Sequence, residues 1–233
     1  MNYYEQGFKL YKTPAQLWEE HITLIDEAVN KKEDSHKIFV DGGCGKEEFV
    51  RRYSSRFENC IGIDIDIESK KEDGNIHYIK GDLQSIPLRS DSVDIFLTNF
   101  VLEHIKHPER FFSEVSRITK KNGLFIAWTP NADSISGVVI RLLPFPLVNN
   151  LKKAIYNAPS HPTYYLANTP SILDDMLGNS GFEKVKMEMI DSVFYLSEHR
   201  LIRWFHSMYI KLTDREDLNR FKDLIFAVYV KSE

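Results

Sequence analysis

The sequence predicts an α/β fold with a doubly wound, mostly parallel sheet, and three observations lead there. First, three apolar runs end on an aspartate or break into glycines: Ile38-Phe39-Val40-Asp41-Gly42-Gly43-Cys44-Gly45, Ile61-Gly62-Ile63-Asp64, and Ile76-His77-Tyr78-Ile79-Lys80-Gly81-Asp82-Leu83. Second, apolar residues between such runs recur at helical spacing. Third, strand and helix alternate along the chain, as they do when parallel strands are joined by crossover helices.

Each element has its own signal. Thr13-Pro14-Ala15-Gln16 reads as a helix start, with Thr13 as cap, Pro14 at the first position and Gln16 closing the box. Leu17, Trp18, Ile22, Ile25 and Val29 continue that helix, which should cover one face of the sheet beside the first strand. Phe49, Val50, Tyr53 and Phe57 form a second stripe after the glycine turn. From Asp66 to Asn75 the chain is short and polar, with room for a turn or two of helix. Pro108, Phe111, Phe112, Val115 and Ile118 mark a helix that Asn122-Gly123 should end, before a strand from Leu124 to Trp128. Thr169-Pro170 opens a helix bearing Ile172, Leu173, Met176 and Leu177, which stops near Gly181. Phe182 to Ile190 and Leu224 to Val230 supply the last two strands. Two stretches exceed this frame, approximately 133–168 and 191–222, and they read as a small helical cap on a single domain spanning 1–233. Within the second, Leu201, Ile202, Trp204, Phe205, Met208, Tyr209 and Leu212 predict a well-buried helix.

Composition bounds the function. The chain has 233 residues, 42% apolar and 12% aromatic, ample for one packed core. A net charge of -4 argues against broad binding to a phosphate backbone, so no nucleic-acid partner is expected. Two cysteines, Cys44 and Cys60, make neither a disulfide framework nor a zinc site, and no H-E-x-x-H run occurs, so no metal is expected. The start lacks the basic and apolar blocks of a signal peptide. The most apolar run, Gly137 to Val148, is interrupted by Arg141, Pro144 and Pro146, short of a membrane span. A cytoplasmic location is the expectation. No pattern fixes the oligomeric state.

Three strand ends of this kind build one crevice, because ligands sit outside the carboxyl ends of parallel strands. The glycines let backbone approach a ligand and the acids supply acceptors. A dinucleotide site needs G-x-G-x-x-G, with a pyrophosphate on the positive end of the next helix. Here Gly43 opens Gly-Cys-Gly-Lys-Glu-Glu; Glu48 takes the place of the third glycine, and Glu47 and Glu48 would repel a pyrophosphate that only Lys46 attracts. The turn does not fit a P-loop either. S-adenosyl-L-methionine carries a sulfonium, an ammonium and a ribose diol but no phosphate, and so suits an acid-lined crevice. Charge favours that methyl donor over a nicotinamide cofactor.

The same residues carry a family resemblance. V-D-G-G-C-G resembles motif I, D-x-G-x-G, of the class I S-adenosylmethionine-dependent methyltransferases. I-G-I-D is similar to that family's second-strand acid, and G-D-L-Q-S-I-P-L to its adenine-contacting turn. S-V-D-I-F-L-T-N-F-V-L-E-H-I resembles the fourth strand and following turn of the small-molecule, type-11 branch. The resemblance covers residues 36–130 in order and is weaker at Gly181-Phe182 and in the last strand; many members have another glycine where Glu47 stands. It implies a Rossmann-like sheet of seven strands, the last antiparallel, and methyl transfer to a small-molecule or lipid-linked acceptor, with oxygen favoured.

Carried onto this chain, the motifs assign a cofactor set. Asp64 would accept both ribose hydroxyls, with Ile65 beside it. Asp41 would organise the glycine turn and help hold the ammonium, and turn chemistry alone is its competing role. Gly43 and Gly45 would bring backbone to the ligand. Asp82 would accept from the adenine amino group while the Leu83 backbone supports the ring edge. Asn99 would face the methionine part or cap its strand, and Asp66 reads as a solvated loop acid. A non-catalytic binding module is the alternative that Glu47 leaves open; a nicotinamide-dependent oxidoreductase is the one that Glu48 disfavours.

Catalysis has two candidates. His104 follows Glu103 after the fourth strand, and His161 lies in Ser160-His161-Pro162-Thr163-Tyr164-Tyr165 of the first insertion. An ordinary histidine titrates near pH 6.5 and can deprotonate a hydroxyl; a packing or pocket-lining role competes for each. Basic residues Arg141, Lys152, Lys153, Arg200 and Arg203 interleave with apolar ones in the insertions. That mixture fits a lid, an anionic or lipid-linked acceptor, or peripheral membrane contact.

Overall fold

In a computed structural model of the chain, residues 14–30, 37–45, 48–67, 73–144, 147, 161–191 and 200–232 are described. Seven strands form one sheet: β1 (Ile38–Gly42), β2 (Asn59–Asp64), β3 (Ile76–Lys80), β4 (Val93–Asn99), β5 (Thr119–Pro130), β6 (Phe182–Ile190) and β7 (Leu224–Lys231). Among the described residues the α-helices are α1 (Pro14–Asn30), α2 (Glu48–Tyr53), α3 (Pro108–Ile118), α4 (Ile135–Leu142), α5 (Pro170–Gly178) and α6 (Arg200–Thr213). In space the strands run β3-β2-β1-β4-β5-β7-β6. The first five are parallel, and β7 lies antiparallel between β5 and β6. The chain winds outward from β1 to β3, then returns to β4 on the other side. Strand order therefore reverses between β1 and β4, and the crevice opens at that point.

Successive side chains of a strand point to opposite faces, and here each face has its own core. Phe39, Ile95, Leu97, Ile126 and Trp128 pack with Ile25 and Val29 of α1 and with Val50 and Tyr53 of α2. Val40, Phe96, Phe125, Ala127 and Tyr229 pack with Phe111, Phe112 and Val115 of α3 and with Leu173 and Leu177 of α5. Because both faces are covered, strands such as β4 read as continuous apolar runs rather than alternating ones. At the amino ends of the strands, Asp94 ties β1 to β5: it accepts from Lys37 N (3.1 Å), Ile38 N (2.9 Å) and Lys120 Nζ (2.9 Å). Burial alone would raise the Asp94 carboxyl, but the Lys120 ammonium and the two backbone donors outweigh it and hold the group below its ordinary value.

Several boundaries follow the sequence signals. The Thr169 side chain caps α5 by accepting from Ile172 N (3.3 Å), and Gly181 turns the chain at φ 81°. The expected cap Thr13 and residues 68–72 lie outside the described residues. Two expectations are corrected. The helix α3 ends at Ile118 rather than at Asn122-Gly123, because Thr119 already pairs with Val93 in the ladder and its hydroxyl donates to Val115 O (2.6 Å). Asn122 (φ 64°) and Gly123 instead form an irregularity inside β5, where a Cβ on Gly123 would lie 2.7 Å from Lys120 O. The other correction concerns α6, which forms where expected but is not well buried: Trp204, Phe205, Met208 and Leu212 are about half exposed or more.

Candidate active site

The crevice is assembled from turns at the carboxyl ends of β1, β2 and β4. After β1 the chain bends back on itself, with Gly43 N and Cys44 N donating to Ile63 O of β2 (2.7 and 3.2 Å). Gly43 sits at φ +81°, and a Cβ there would lie 2.3 Å from Val101 Cγ2, so both conformation and contact require glycine. Gly45, at φ +43°, differs: a Cβ there would meet nothing within 4 Å. A side chain at Gly43 would thus collide with Val101. Gly45 borders open space.

Asp64 ends β2 facing that turn. Its Oδ2 accepts from Gly45 N (3.0 Å) and its Oδ1 from Asp66 N (2.9 Å). The two backbone donors fix the carboxylate's orientation, and each oxygen retains a further acceptor position. Ile65 beside it is 60% exposed. Asp41 lies buried at the end of β1, in register with Gly62 and Leu97; its burial fits the turn-organising role. Asp82 makes an Asx-type turn, its Oδ1 accepting from Gln84 N (2.9 Å). The Leu83 side chain is buried in the core beside Val40 and Ile63, which anchors the backbone of that turn. Asn99 is half-buried at the end of β4 and its side-chain amide caps nothing among the described residues. The neighbouring Phe100 takes a left-handed φ of 54° and donates its N–H to Trp128 O (2.8 Å).

Residues 161–168 cross toward this edge, and they bring the two candidate histidines together. Tyr164 N and Tyr165 N both donate to Glu103 O (2.7 and 3.3 Å). His104 Nδ1 lies 2.8 Å from Pro162 O; since a carbonyl only accepts, Nδ1 carries the proton and Nε2 is the basic nitrogen of the neutral ring. The rings of His104 and His161 meet edge to face at 5.9 Å. His161 Nε2 faces Asp66 Oδ2 at 3.5 Å, and both side chains are about two-thirds exposed. Asp66 is thus solvated, as expected, yet it also pairs across the crevice with the insertion, a partnership the sequence did not indicate.

Sequence reasoning passed over the buried polar groups behind this strap. Glu103, 5% exposed, accepts from the Thr129 hydroxyl (3.4 Å), and Asn168 Nδ2 donates to Thr129 Oγ1 (2.6 Å). Tyr165 is buried at a left-handed φ of 55°, and burial, then the Glu103 charge, pushes its phenol above the ordinary range. Thr98 Oγ1 and Asn168 Oδ1 are buried without a hydrogen-bond partner among the described residues. Only the polar tract Asn168-Thr169 beside an aromatic pair hinted at this network. Among the described residues no helix is long and apolar enough to cross a membrane, and no group of three or more metal-ligating side chains clusters.

Comparison with known proteins agrees with this geometry. Residues 40–127 match the family model described as a methyltransferase domain. A malonyl-[acyl-carrier protein] O-methyltransferase of Pectobacterium atrosepticum is 29% identical over 98 residues, 40% of this chain and 38% of that protein. The uncharacterized protein MJ1123 of Methanocaldococcus jannaschii is 32% identical over 117 residues, 48% of this chain and 57% of its own length. The chain thus spans less than two thirds of either relative. The crystal structure of an S-adenosylmethionine-dependent methyltransferase from Mesorhizobium loti aligns with a TM-score of 0.56 at 16% identity, covering 88% of this chain and 95% of that one, a likeness of fold. Motif order, the match of residues 40–127 and the sheet topology agree in their likeness to the class I S-adenosylmethionine-dependent methyltransferases of the type-11 branch.

Proposed function

We propose that this chain transfers a methyl group from S-adenosyl-L-methionine to the oxygen of a small-molecule or lipid-linked acceptor. The observation that carries the reading is Asp64, a carboxylate oriented by Gly45 N and Asp66 N at the strand-order reversal, with acceptor positions to spare. The open space beside Gly45 leaves room for a ligand against that carboxylate. In this reading Asp64 accepts the ribose hydroxyls, with the exposed Ile65 against the adenine. Asp82 accepts from the adenine amino group, and Leu83 holds the ring edge with its backbone. Asp41 keeps the Gly43–Gly45 turn in place and balances the ammonium charge, while the Asn99 amide faces the methionine part.

The cofactor supplies an electrophilic methyl on a sulfonium, so the protein's task is approach, alignment and exclusion of water. On transfer to a hydroxyl acceptor, the proton released from that hydroxyl would pass to a base of this chain. The His104–His161 pair stands at the mouth of the crevice, and His104 Nε2 and the imidazole of His161 are the candidates for that proton. A calorimetric titration comparing S-adenosylmethionine, S-adenosylhomocysteine and NAD tests the cofactor; NAD binding more tightly than the other two would sink the proposal. Mass spectrometry of reactions with metabolite and lipid extracts tests turnover. Cofactor binding with no methylated product in any pool supports the alternative, a non-catalytic module.

A further inference from the structure

The helices α4 and α6 are seated the wrong way round for a protein bathed only in water. An amphipathic helix of a globular protein ordinarily turns its apolar stripe to the core. In α4 the buried side is Gly137, where a Cβ would lie 2.3 Å from Asn131 O and 2.9 Å from Ala132 O, so the helix backbone presses directly on the preceding turn. Ile135, Val138, Val139 and Leu142, at i, i+3, i+4 and i+7, occupy the opposite side and are 38–78% exposed. The helix α6 repeats the arrangement. It is seated by Thr213, which is 1% exposed, and by Tyr209, whose hydroxyl donates to Phe221 O. Its arc of Trp204, Phe205, Met208 and Leu212 is 48–64% exposed and spans roughly 100° of the helix.

The two helices meet where Ile135 N of α4 donates to the Tyr209 hydroxyl of α6 (3.3 Å). They also share the edge of the sheet that carries the crevice. The helix α4 follows the carboxyl end of β5, and α6 precedes β7, whose first residue Leu224 pairs with Pro130 at that same end.

Charge says what covers them. The chain as a whole is acidic at -4, yet residues 134–160 contain three basic side chains and no acid, and residues 192–213 contain three basic and one acidic. Arg141 lies in the last turn of α4, and Lys211 lies two turns beyond Trp204 on the flank of its arc. Neither makes an ion pair among the described residues. Two of the acids that follow α6 are matched, Asp214 by Lys222 and Asp217 by Arg215. A second copy of this chain is a poor occupant, since a two-fold contact sets the same basic rim against itself. Apolar arcs with an aromatic pair, flanked by Arg141 and Lys211, are what a helix lying in an anionic lipid interface requires.

We propose that the outward faces of α4 and α6 together form a docking surface for an anionic lipid bilayer, with the mouth of the crevice turned toward the lipid. The proposal does not depend on methyl transfer, and its test reads binding alone. The full chain is sedimented with phosphatidylcholine vesicles with or without phosphatidylglycerol, with no cofactor present. The expected result is cosedimentation with the anionic vesicles, weakened by salt. Arg141→Gln and Lys211→Gln should each weaken binding about fivefold, since a basic side chain near such a surface contributes about a factor of that size. Phe205→Ser should weaken it roughly tenfold through lost apolar burial. These side chains are exposed, so circular dichroism and S-adenosylhomocysteine affinity should stay unchanged and report correct folding. Three results overturn the proposal: no cosedimentation with anionic vesicles, equal binding to both vesicle types that salt leaves unaltered, or a dimer that Phe205→Ser dissociates in the absence of lipid binding.

Discussion

Replacing Asp64 by alanine is the sharpest test of the crevice, because the structure separates its effects on stability from those on ligand. In the free protein the carboxylate accepts two backbone N–H groups, from Gly45 and Asp66. Both bonds are solvent-accessible, so water replaces them in the variant, and their loss should cost about 0.5–1.5 kcal/mol each. A fall in Tm of several degrees is the expected stability change. Ribose is a separate matter. Two hydroxyls donating to an ionised acceptor are worth about 1.5–3 kcal/mol each, and the half-exposed position argues for the lower figure. A loss of about 3 kcal/mol corresponds to a Kd for S-adenosylhomocysteine weaker by roughly 150-fold.

Asp64→Asn sharpens the reading. The amide keeps one oxygen, but its NH2 must face either Gly45 N–H or Asp66 N–H, donor against donor, and it offers one hydroxyl a worse partner. An intermediate loss of roughly tenfold is expected, with stability below that of the alanine variant if the donor clash dominates. Calorimetric titration at a temperature where both variants remain folded, checked by circular dichroism, makes the measurement. A folded Asp64→Ala protein that binds S-adenosylhomocysteine as tightly as the parent would remove the ribose from this carboxylate and with it the placement of the cofactor.

Other outcomes follow from the same geometry. Gly43→Ala should unfold the turn and lower Tm, because its Cβ meets Val101 at φ +81°, and Val101→Ala should restore part of that loss by clearing the clash. Gly45→Ala meets no protein atom, so it should cost about 1–2 kcal/mol of backbone strain, read as a small drop in Tm, while weakening cofactor binding more than Gly43→Ala does per degree of Tm lost. The lowered Asp94 carboxyl gives stability that is complete above its unfolded pKa, near 4, and is lost as pH falls through its lower folded value; Tm against pH should therefore fall less steeply on the acid side in Asp94→Asn than in the parent. His161→Ala or His104→Ala should cut turnover at least tenfold with S-adenosylhomocysteine affinity unchanged; near-parental turnover in both variants would leave the acceptor without a histidine base.

How much of this was legible in the sequence depends on the range of the interaction concerned. The strands leading to Asp41, Asp64 and Asp82 were readable because a local alternation of apolar run and turn residue encodes them, and a seven-stranded sheet with its last strand antiparallel followed from the family resemblance. The end of α3 was misplaced because Asn122-Gly123 is a local stop signal that a long-range contact overrides: Thr119 gains a ladder partner in Val93, and the glycine serves a bulge inside β5. The approach of His161 to Asp66 and His104 joins residues about 95 and 57 positions apart, and no period or spacing encodes such a meeting. The most instructive failure is α6. Its pattern of Trp204, Phe205, Met208 and Leu212 identifies an apolar face correctly, but periodicity says only that a face is apolar, not what lies against it. The buried side was chosen by Tyr209 and Thr213, a phenol and a hydroxyl whose hydrogen bonds to Phe221 O and Asp191 are invisible in a hydrophobicity pattern. Where the structure leaves such a face in solvent, the basic residues that flank it carry information that periodicity lacks.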